Sequence, residues 1–322
     1  MKRALKRSFG AIGIALLILI ALLIYTFTPK KLDVEAYQAD STSFAANNLD
    51  PAKLPEVTLS IIKAGKMPAR KLFAYRGGGP SEAYENAMVA VLVRHPQATF
   101  LIDAGFGANV DQHWQTIPWL MRRLSSYDKG TPAIAQLQKQ GITPDQIKMA
   151  FITHSHWDHI SGLEDFPGLE VRMPEAELQF IRDRKMPGLI DQMIGQLNVR
   201  TFDFSGEPYE NFDRSLDLFG DGSVALVPLP GHTDGSTGVF VNLRSGKRFL
   251  FTGDLTWALE GFELPAERPW LARKLVDVDE AEVRRSIVKV HLLMRKYPDL
   301  MVVPAHDRRV HDRIASLPKF EQ

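Results

Sequence analysis

No cysteine occurs among the 322 residues of the chain. Disulfides and thiolate metal ligands are therefore excluded, and any metal site must be built from histidine and carboxylates. The absence says nothing about compartment, since a chain without thiols suits either redox environment. Charge of one sign is also lacking. Lys and Arg number 39 against 38 Asp and Glu, a formal net charge of +1. No overall field then favours a polyanion, and no nucleic-acid partner is expected. A phosphate-cradling loop is missing as well. The glycine-rich stretch RGGGPSEAYEN, residues 76–86, lacks the G-x-x-x-x-G-K-[ST] pattern. No low-complexity tract and no short repeat stands out.

Uncharged residues, by contrast, are concentrated at the start. Lys2, Arg3, Lys6 and Arg7 precede FGAIGIALLILIALLIYTFT, residues 9–28, which carries no charge. At ~1.5 Å per residue such a helix is roughly 30 Å long, the thickness of a bilayer core. A cleaved signal sequence would have a shorter apolar run, about 7–15 residues, and a small-x-small site. None follows here, so an uncleaved anchor is expected. Four basic residues precede the run and two, Lys30 and Lys31, follow it. The N-terminus is thus expected in the cytoplasm, with the remainder on the outer, periplasmic or extracellular, side. If the segment were cleaved, the protein would be secreted. Residues 29–55 are polar and without sustained periodicity, which reads as a linker. The expected organisation is an anchor at 1–28, a linker at 29–55 and one catalytic domain at 56–322.

Within that domain, short β-type runs begin at Val57, Met88 and Thr99. A helix is expected near residues 132–140, and IKMAFITHS reads as a buried strand. The second half repeats the style with VALVPLPGH, GVFVNL, RFLFTGD and DLMVVPAHD. Between the last two lies a helix from about Asp279, with Val283, Ile287, Val290 and Met294 at helical spacing. Strands and helices alternate in two comparable halves, which suits a layered α/β domain.

Polar residues fall at the ends of these strands. MAFIT runs into His154, ALVPLPG into His232, FLFTG into Asp254 and LMVVPA into His306. Rigid apolar strands can thereby gather ligands from distant sequence at one edge. A lone strand-end histidine is usually structural. Four such ends, one opening the cluster His154-x-His156-x-Asp158-His159, point to metal. Residues two apart on an extended segment face the same side, so His154 and His156 can hold one ion. Asp158 and His159 follow a turn and can face a second. His232 would complete the first set and His306 the second, with Asp254 bridging through its two oxygens. Nitrogen and oxygen ligands without sulfur favour zinc, with iron or manganese as alternatives.

THSHWDH (153–159), PGHTDGS (230–236), TGD (252–254) and PAHD (304–307) resemble, in that order, the signature of the metallo-β-lactamase superfamily. FLIDAG resembles its first motif, ending in this chain at Asp103. The resemblance covers roughly residues 56–310. It implies a four-layer αββα sandwich, here preceded by the transmembrane helix, with a two-metal site on one edge of the sheets. Matched residue by residue, His154, His156 and His232 would hold one ion. Asp158, His159 and His306 would hold the other, Asp254 would bridge, and Asp103 would orient the ligand loop.

Branches of the family separate at single positions. True β-lactamases usually carry Cys or Ser where Asp254 stands. Flavodiiron-type members carry Glu where His156 stands. Glyoxalase-II-type thioesterases, acyl-homoserine-lactone lactonases and persulfide dioxygenases remain. The lactonases carry Tyr three residues past the bridging Asp; this chain has Trp257. That departure removes the hydroxyl the family would direct at a substrate carbonyl. Trp257 is expected near the substrate. Trp114, Trp119, Phe262 and Trp270 are expected to serve packing, and His95, His113, His291 and His311 match no motif, His291 lying on a helix surface. The expected protein is a membrane-anchored two-zinc hydrolase of an ester or lactone, a small-molecule substrate. Asp158 would pass a proton to the leaving group. A thioester or phosphodiester hydrolase is the alternative, and a non-catalytic metal-stabilised binding domain the least favoured reading.

Overall fold

A computed structural model describes residues 2–37, 44–45, 49–183 and 188–322, with side chains from residue 12 onward except those of 188–191. Twelve described strands form two sheets. The first holds β1 (Thr58–Arg70), β2 (Ala83–His95), β3 (Ala98–Ile102), β4 (Asp128–Lys129), β5 (Ile147–Phe151), β6 (Glu170–Pro174) and β7 (Asn198–Phe202), in the order β4-β1-β2-β3-β5-β6-β7. The second holds β8 (Leu216–Asp217), β9 (Val224–Pro228), β10 (Thr237–Asn242), β11 (Arg248–Phe251) and β12 (Leu300–Val303), in the order β12-β11-β10-β9-β8.

The two sheets stack because their strands are apolar on both faces. Side chains alternate across a strand with a period of two. In β2, Val89, Val91 and Val93 point between the sheets, while Ala90 and Leu92 point outward under the helices. In β10, Val239 and Val241 join the central layer, and Phe240 points outward. The same alternation in β9, β11 and β12 puts Leu226, Phe251 and Val303 into the middle, and Val227, Leu250 and Val302 outside. Three packed layers of side chains then need helices on both outer faces, which is the expected αββα sandwich.

Each strand expected from an apolar run is present. The strands β6 and β7 were not expected. Their runs, EVRMP and NVRTF, alternate apolar with charged residues at the sheet margin, where one side stays wet. Helices fall at Ala133–Lys139 and Glu280–Lys296, as expected. His291 departs from the expectation of a surface position. It is half-buried and its Nδ1 lies 2.8 Å from the carbonyl oxygen of Phe262.

At the N-terminus a helix runs over Lys2–Phe27. Among the described residues no helix is long and apolar enough to cross a membrane. The expected span is therefore not supported by the helices that are described. The stretch read as a linker is partly laid against the domain. Leu32, Phe44 and Leu49 pack on the outer layer of the second sheet, and Leu32 N donates to Pro265 O at 2.8 Å. Polar sequence hid this, because three separated apolar residues make no period.

The Glu280–Lys296 helix covers the second sheet with Val283, Ile287, Val290 and Leu293. Asp279 caps it, accepting from Ala281 N at 2.8 Å and Glu282 N at 3.1 Å. Replacing this cap should cost about 0.5–2 kcal/mol. Asp279→Ala is expected to lower the urea midpoint, with an unchanged slope, so that slope times shift equals that cost. An unchanged midpoint would show that packing alone holds the helix.

Candidate metal centre

Four strand ends converge at one edge of the sandwich. β5 delivers the 153–159 loop, β9 the loop carrying His232, β11 the turn carrying Asp254, and β12 the turn carrying His306. The loops are zipped to one another by backbone bonds. Thr237 N donates to Thr153 O at 2.9 Å, Ala305 N to Gly253 O at 3.2 Å, and Ala87 N on β2 to His306 O at 3.0 Å. Gly253 sits at φ +53, and a side chain there would meet Thr153 at 2.8 Å. The turn before Asp254 therefore requires glycine.

All seven expected ligands meet there, in the expected grouping. Ligand atoms of His154, His156 and His232 lie within 4.8 Å of one another, as do those of Asp158, His159 and His306. His154, His159 and Asp254 form a third such group between them. Asp254 faces both sets. Its Oδ1 is 2.8 Å from His306 Nε2 and 3.2 Å from His159 Nε2, and its Oδ2 is 3.6 Å from His232 Nε2. All are buried except Asp158 and His156, which are half-buried.

These donors fit a cation better than they fit each other. His156 Nδ1 stands 3.0 Å from His154 Nε2 and 2.9 Å from His232 Nε2. Three imidazole nitrogens cannot all share protons at that spacing. His159 Nε2 and Asp254 Oδ1 face each other at 3.2 Å, buried, yet neither makes a well-formed hydrogen bond among the described residues, a costly state unless an ion takes both. Protonation tendencies diverge accordingly. Burial, with the neighbouring imidazoles, pushes His154 and His156 well below the usual histidine range. Burial works the same way on His159, but Asp103 and Asp254 outweigh it and hold that imidazole well above its ordinary value. Burial pushes the Asp254 carboxyl up, yet His306 and His159 bring it well below. Neutral imidazoles and an ionised carboxylate are the forms that bind metal.

A ring of partners holds the ligands in place. Asp103 accepts from Thr153 N at 2.7 Å and Thr153 Oγ1 at 2.8 Å, and its Oδ2 lies 2.8 Å from His159 Nδ1. It therefore occupies the place expected of it beside the ligand loop. It adopts φ +55, unusual for a residue with a side chain. His306 Nδ1 lies 3.0 Å from the Ala87 carbonyl. Such bonds fix the tautomer and aim the other nitrogen inward.

Three further residues of this ring were not expected. Asp277 lies 2.9 Å from His232 Nδ1 and is paired with the buried Arg268, whose guanidinium stacks over the Trp257 ring at 4.9 Å. Glu177 is fully buried on the Glu175–Asp183 helix. It accepts from Ser155 N at 2.7 Å, Ser155 Oγ at 2.6 Å, Thr233 Oγ1 at 2.7 Å and Gly235 N at 3.1 Å. One carboxylate thus ties the His154–His156 loop to the His232 loop. Burial raises its pKa, and those four bonds pull it back. A signal for Glu177 did exist. It shares a helix face with Phe180 and Ile181, so an acid stands on an apolar stripe.

Beside the centre lies a cavity of about 830 Å³. Trp257 lines it and donates its indole N–H to Asp254 Oδ2 at 2.9 Å. Tyr84, Met67, Phe73, Met121 and Leu271 supply a mostly apolar wall. The other aromatic candidates lie elsewhere. Trp114 packs on Trp157 and Tyr127, Phe262 is in the outer core, and Trp119 is exposed. His95, His113 and His311 are buried outside the ligand groups, His95 against Asp221 at 2.9 Å and His113 against Ser161 at 2.8 Å.

Comparison with known proteins agrees with this geometry. The family model described as "Metallo-beta-lactamase superfamily" matches residues 86–306. An N-acyl homoserine lactonase, AttM, from Rhizobium radiobacter is 25% identical over 277 residues, covering 83% of this chain and 99% of that protein. A probable metallo-hydrolase from Mycobacterium tuberculosis is 27% identical over 230 residues, covering 67% of this chain and 73% of that protein. Among solved structures, an N-acyl homoserine lactone hydrolase with bound N-hexanoyl-L-homoserine superposes with a TM-score of 0.67 at 16% identity, over 83% of this chain and all of that one. AidC, described as a dizinc quorum-quenching lactonase, gives 0.55 at 16% identity, over 83% of this chain and 90% of that one. The sandwich, the order of the motifs and the matched residues together place this chain in the metallo-β-lactamase superfamily.

Proposed function

We propose that this chain is a metal-dependent hydrolase that holds two zinc ions and opens an ester or lactone of a small, largely apolar substrate. The observation that carries the reading is the placement of Asp254, one oxygen toward His159 and His306 and the other toward His232. His154, His156 and His232 would hold one ion, Asp158, His159 and His306 the second, and Asp254 both. A bound ion pair supplies Lewis acidity toward a carbonyl and makes water a usable nucleophile near neutral pH. The relatives named as lactonases support a lactone as substrate, and so does the apolar wall of the cavity. Zinc-loaded protein should turn over lactones or aryl esters in a panel that also holds thioesters and bis-p-nitrophenyl phosphate. Turnover of the phosphodiester alone would overturn the reading.

The chain's own residues divide the remaining work. Trp257 joins the cavity wall to the ligand cluster through its bond to Asp254. Asp158 stands at the start of the short Trp157–Ile160 helix, its Oδ2 3.3 Å from His306 Nε2. Half-buried, it would take the proton that the attacking water gives up and pass it to the leaving oxygen.

Ion content follows from the ligand set. Elemental analysis of purified protein is expected to find close to two ions per chain, and Asp254→Ala to lower the count. One tightly held ion in the wild type would refute the paired arrangement. Asp158 is tested by leaving-group dependence at full zinc occupancy. Positioned acids contribute about 10²–10⁴-fold. Asp158→Asn should lose activity in that range on alkyl lactones and much less on p-nitrophenyl esters. Equal losses on both would leave Asp158 a ligand only.

The proposal extends to location. The uncharged run at residues 9–28 and its basic flank support an anchor that leaves the catalytic domain at 56–322 on the outer side. A phosphatase fused to the C-terminus should be active outside the cytoplasm, and the mature protein should begin near Met1. A mature chain starting near residue 30 or later would mean secretion after cleavage.

A further inference from the structure

The pattern Pro-Trp-Leu-x-Arg-x-Leu occurs twice in this chain, contrary to the expectation of no short repeat. PWLMRRL fills positions 118–124 and PWLARKL positions 269–275. The copies are far apart in sequence and form the same small unit. Pro118 and Pro269 cap the helices Trp119–Leu124 and Trp270–Val276, both at φ −53. Neither helix contains an acid, and both carry basic residues in the last turn, Arg122 and Arg123 in one, Arg273 and Lys274, paired with Glu267 and Glu280, in the other.

Both copies stand at the mouth of the cavity beside the metal centre. Leu124, Leu271 and Leu275 line it and are also exposed to solvent, as is Phe73. Trp119 is 68% exposed and Leu124 76%. Short helices on a soluble surface usually turn such residues inward. Here two of them turn apolar side chains outward around one opening, a pattern that marks an interaction surface.

Charge and chain continuity say what covers it. The acids near the opening are already paired, Glu82 with Lys71 at 3.1 Å and Glu85 with Lys66 at 2.8 Å. Arg70 and Arg123 are exposed and make no ion pair among the described residues. The free charge is therefore positive. The N-terminal helix ends on the same rim. Phe27 lines the cavity and packs edge-on against Phe73, with ring centroids 5.8 Å apart. The buried Arg76 fastens that end, donating to Tyr25 O at 2.7 Å and Thr28 O at 3.0 Å. Above this clasp the helix exposes Ile14, Leu17, Ile18 and Ile24. A surface that receives the helix thus receives the rim.

We propose that the twin Pro-Trp-Leu helices seat the domain on an anionic lipid surface, so that the cavity opens into the bilayer rather than into water. The exposed Trp119, Leu124, Leu271 and Leu275 and the half-buried Trp270 would meet the headgroup boundary, roughly 5–10 Å deep, with Arg70 and Arg123 at the phosphates. A long-chain ester or lactone dissolved in the bilayer then enters the cavity directly; this consequence, unlike the docking, rests on the hydrolase reading.

The full chain, reconstituted in vesicles of equal parts phosphatidylcholine and phosphatidylglycerol, tests the docking by tryptophan emission. The N-terminal helix has no tryptophan, so all emission comes from the domain. Lipids brominated on their acyl chains should quench the wild type. Trp119→Phe with Trp270→Phe should lose most of that quenching. Leu124→Glu with Leu275→Glu, both at exposed positions, should lose it while the far-ultraviolet circular dichroism stays that of the wild type. Emission unaffected by bromine would overturn the proposal and leave the domain above the bilayer. So would quenching that survives both tryptophan replacements. Absence of quenching together with a dimer in sedimentation would assign the rim to a second copy of the chain instead. Quenching is read without turnover, so an inactive panel would overturn the hydrolase and leave the docking standing.

Discussion

Unshared lone pairs at one buried point organise this protein. His154, His156 and His232 aim nitrogens at a common centre from 2.9–3.0 Å apart, and Asp254 closes the gap to His159 and His306. Without a cation, such a cluster loses the solvation of each group and gains little in return. The surroundings are built to tolerate it. Carboxylates of Asp103, Glu177 and Asp277 stand directly behind the ligands or their loops, each accepting bonds from groups that would otherwise face the core. Two sheets with apolar inner faces then hold the loops rigidly enough that the ligand geometry survives.

Much of this arrangement was legible in the sequence, for local reasons. Ligands at strand ends leave a mark because an apolar run stops at a histidine or aspartate, and His154-x-His156-x-Asp158-His159 compresses four of them into one turn. The supporting carboxylates leave almost none. Asp277 follows an amphipathic helix and looks like any helix-ending polar residue. Glu177 is more instructive. Its neighbour Glu175 is exposed, and nothing in either residue's immediate sequence tells them apart except the stripe with Phe180 and Ile181. Its partners come from Ser155 and Thr233, in two separate loops. Contacts of that kind are fixed by the tertiary fold and have no local spacing to betray them.

Edges were harder to read than the centre for the same reason. Strands β6 and β7 mix arginine with apolar residues because one face meets solvent, so their alternation is weak. Leu32, Phe44 and Leu49 bind the linker to the second sheet one residue at a time. The paired Pro-Trp-Leu helices follow the opposite logic. Each is legible as a helix start, with proline before the first turn. Their shared meaning appears only when both are seen around one opening.

Trp257 shows how a single departure from the family pattern reshapes the chemistry. The resemblance to the lactonases implies a tyrosine at this position, where this chain has tryptophan. The indole here is held on three sides. Its N–H is given to Asp254 Oδ2, Arg268 covers one face, and the Tyr84 hydroxyl holds its backbone carbonyl. A ring so constrained has no donor left for a carbonyl oxygen. It offers a flat apolar wall and a bond that orients the bridging carboxylate. Arg268 also pairs with Asp277 behind His232, so the wall and the ligand are fixed by the same guanidinium. On the proposed reading, polarisation of a carbonyl would fall to the ions that the cluster would hold. On that reading, apolar contact along the cavity would contribute binding and favour a hydrophobic chain.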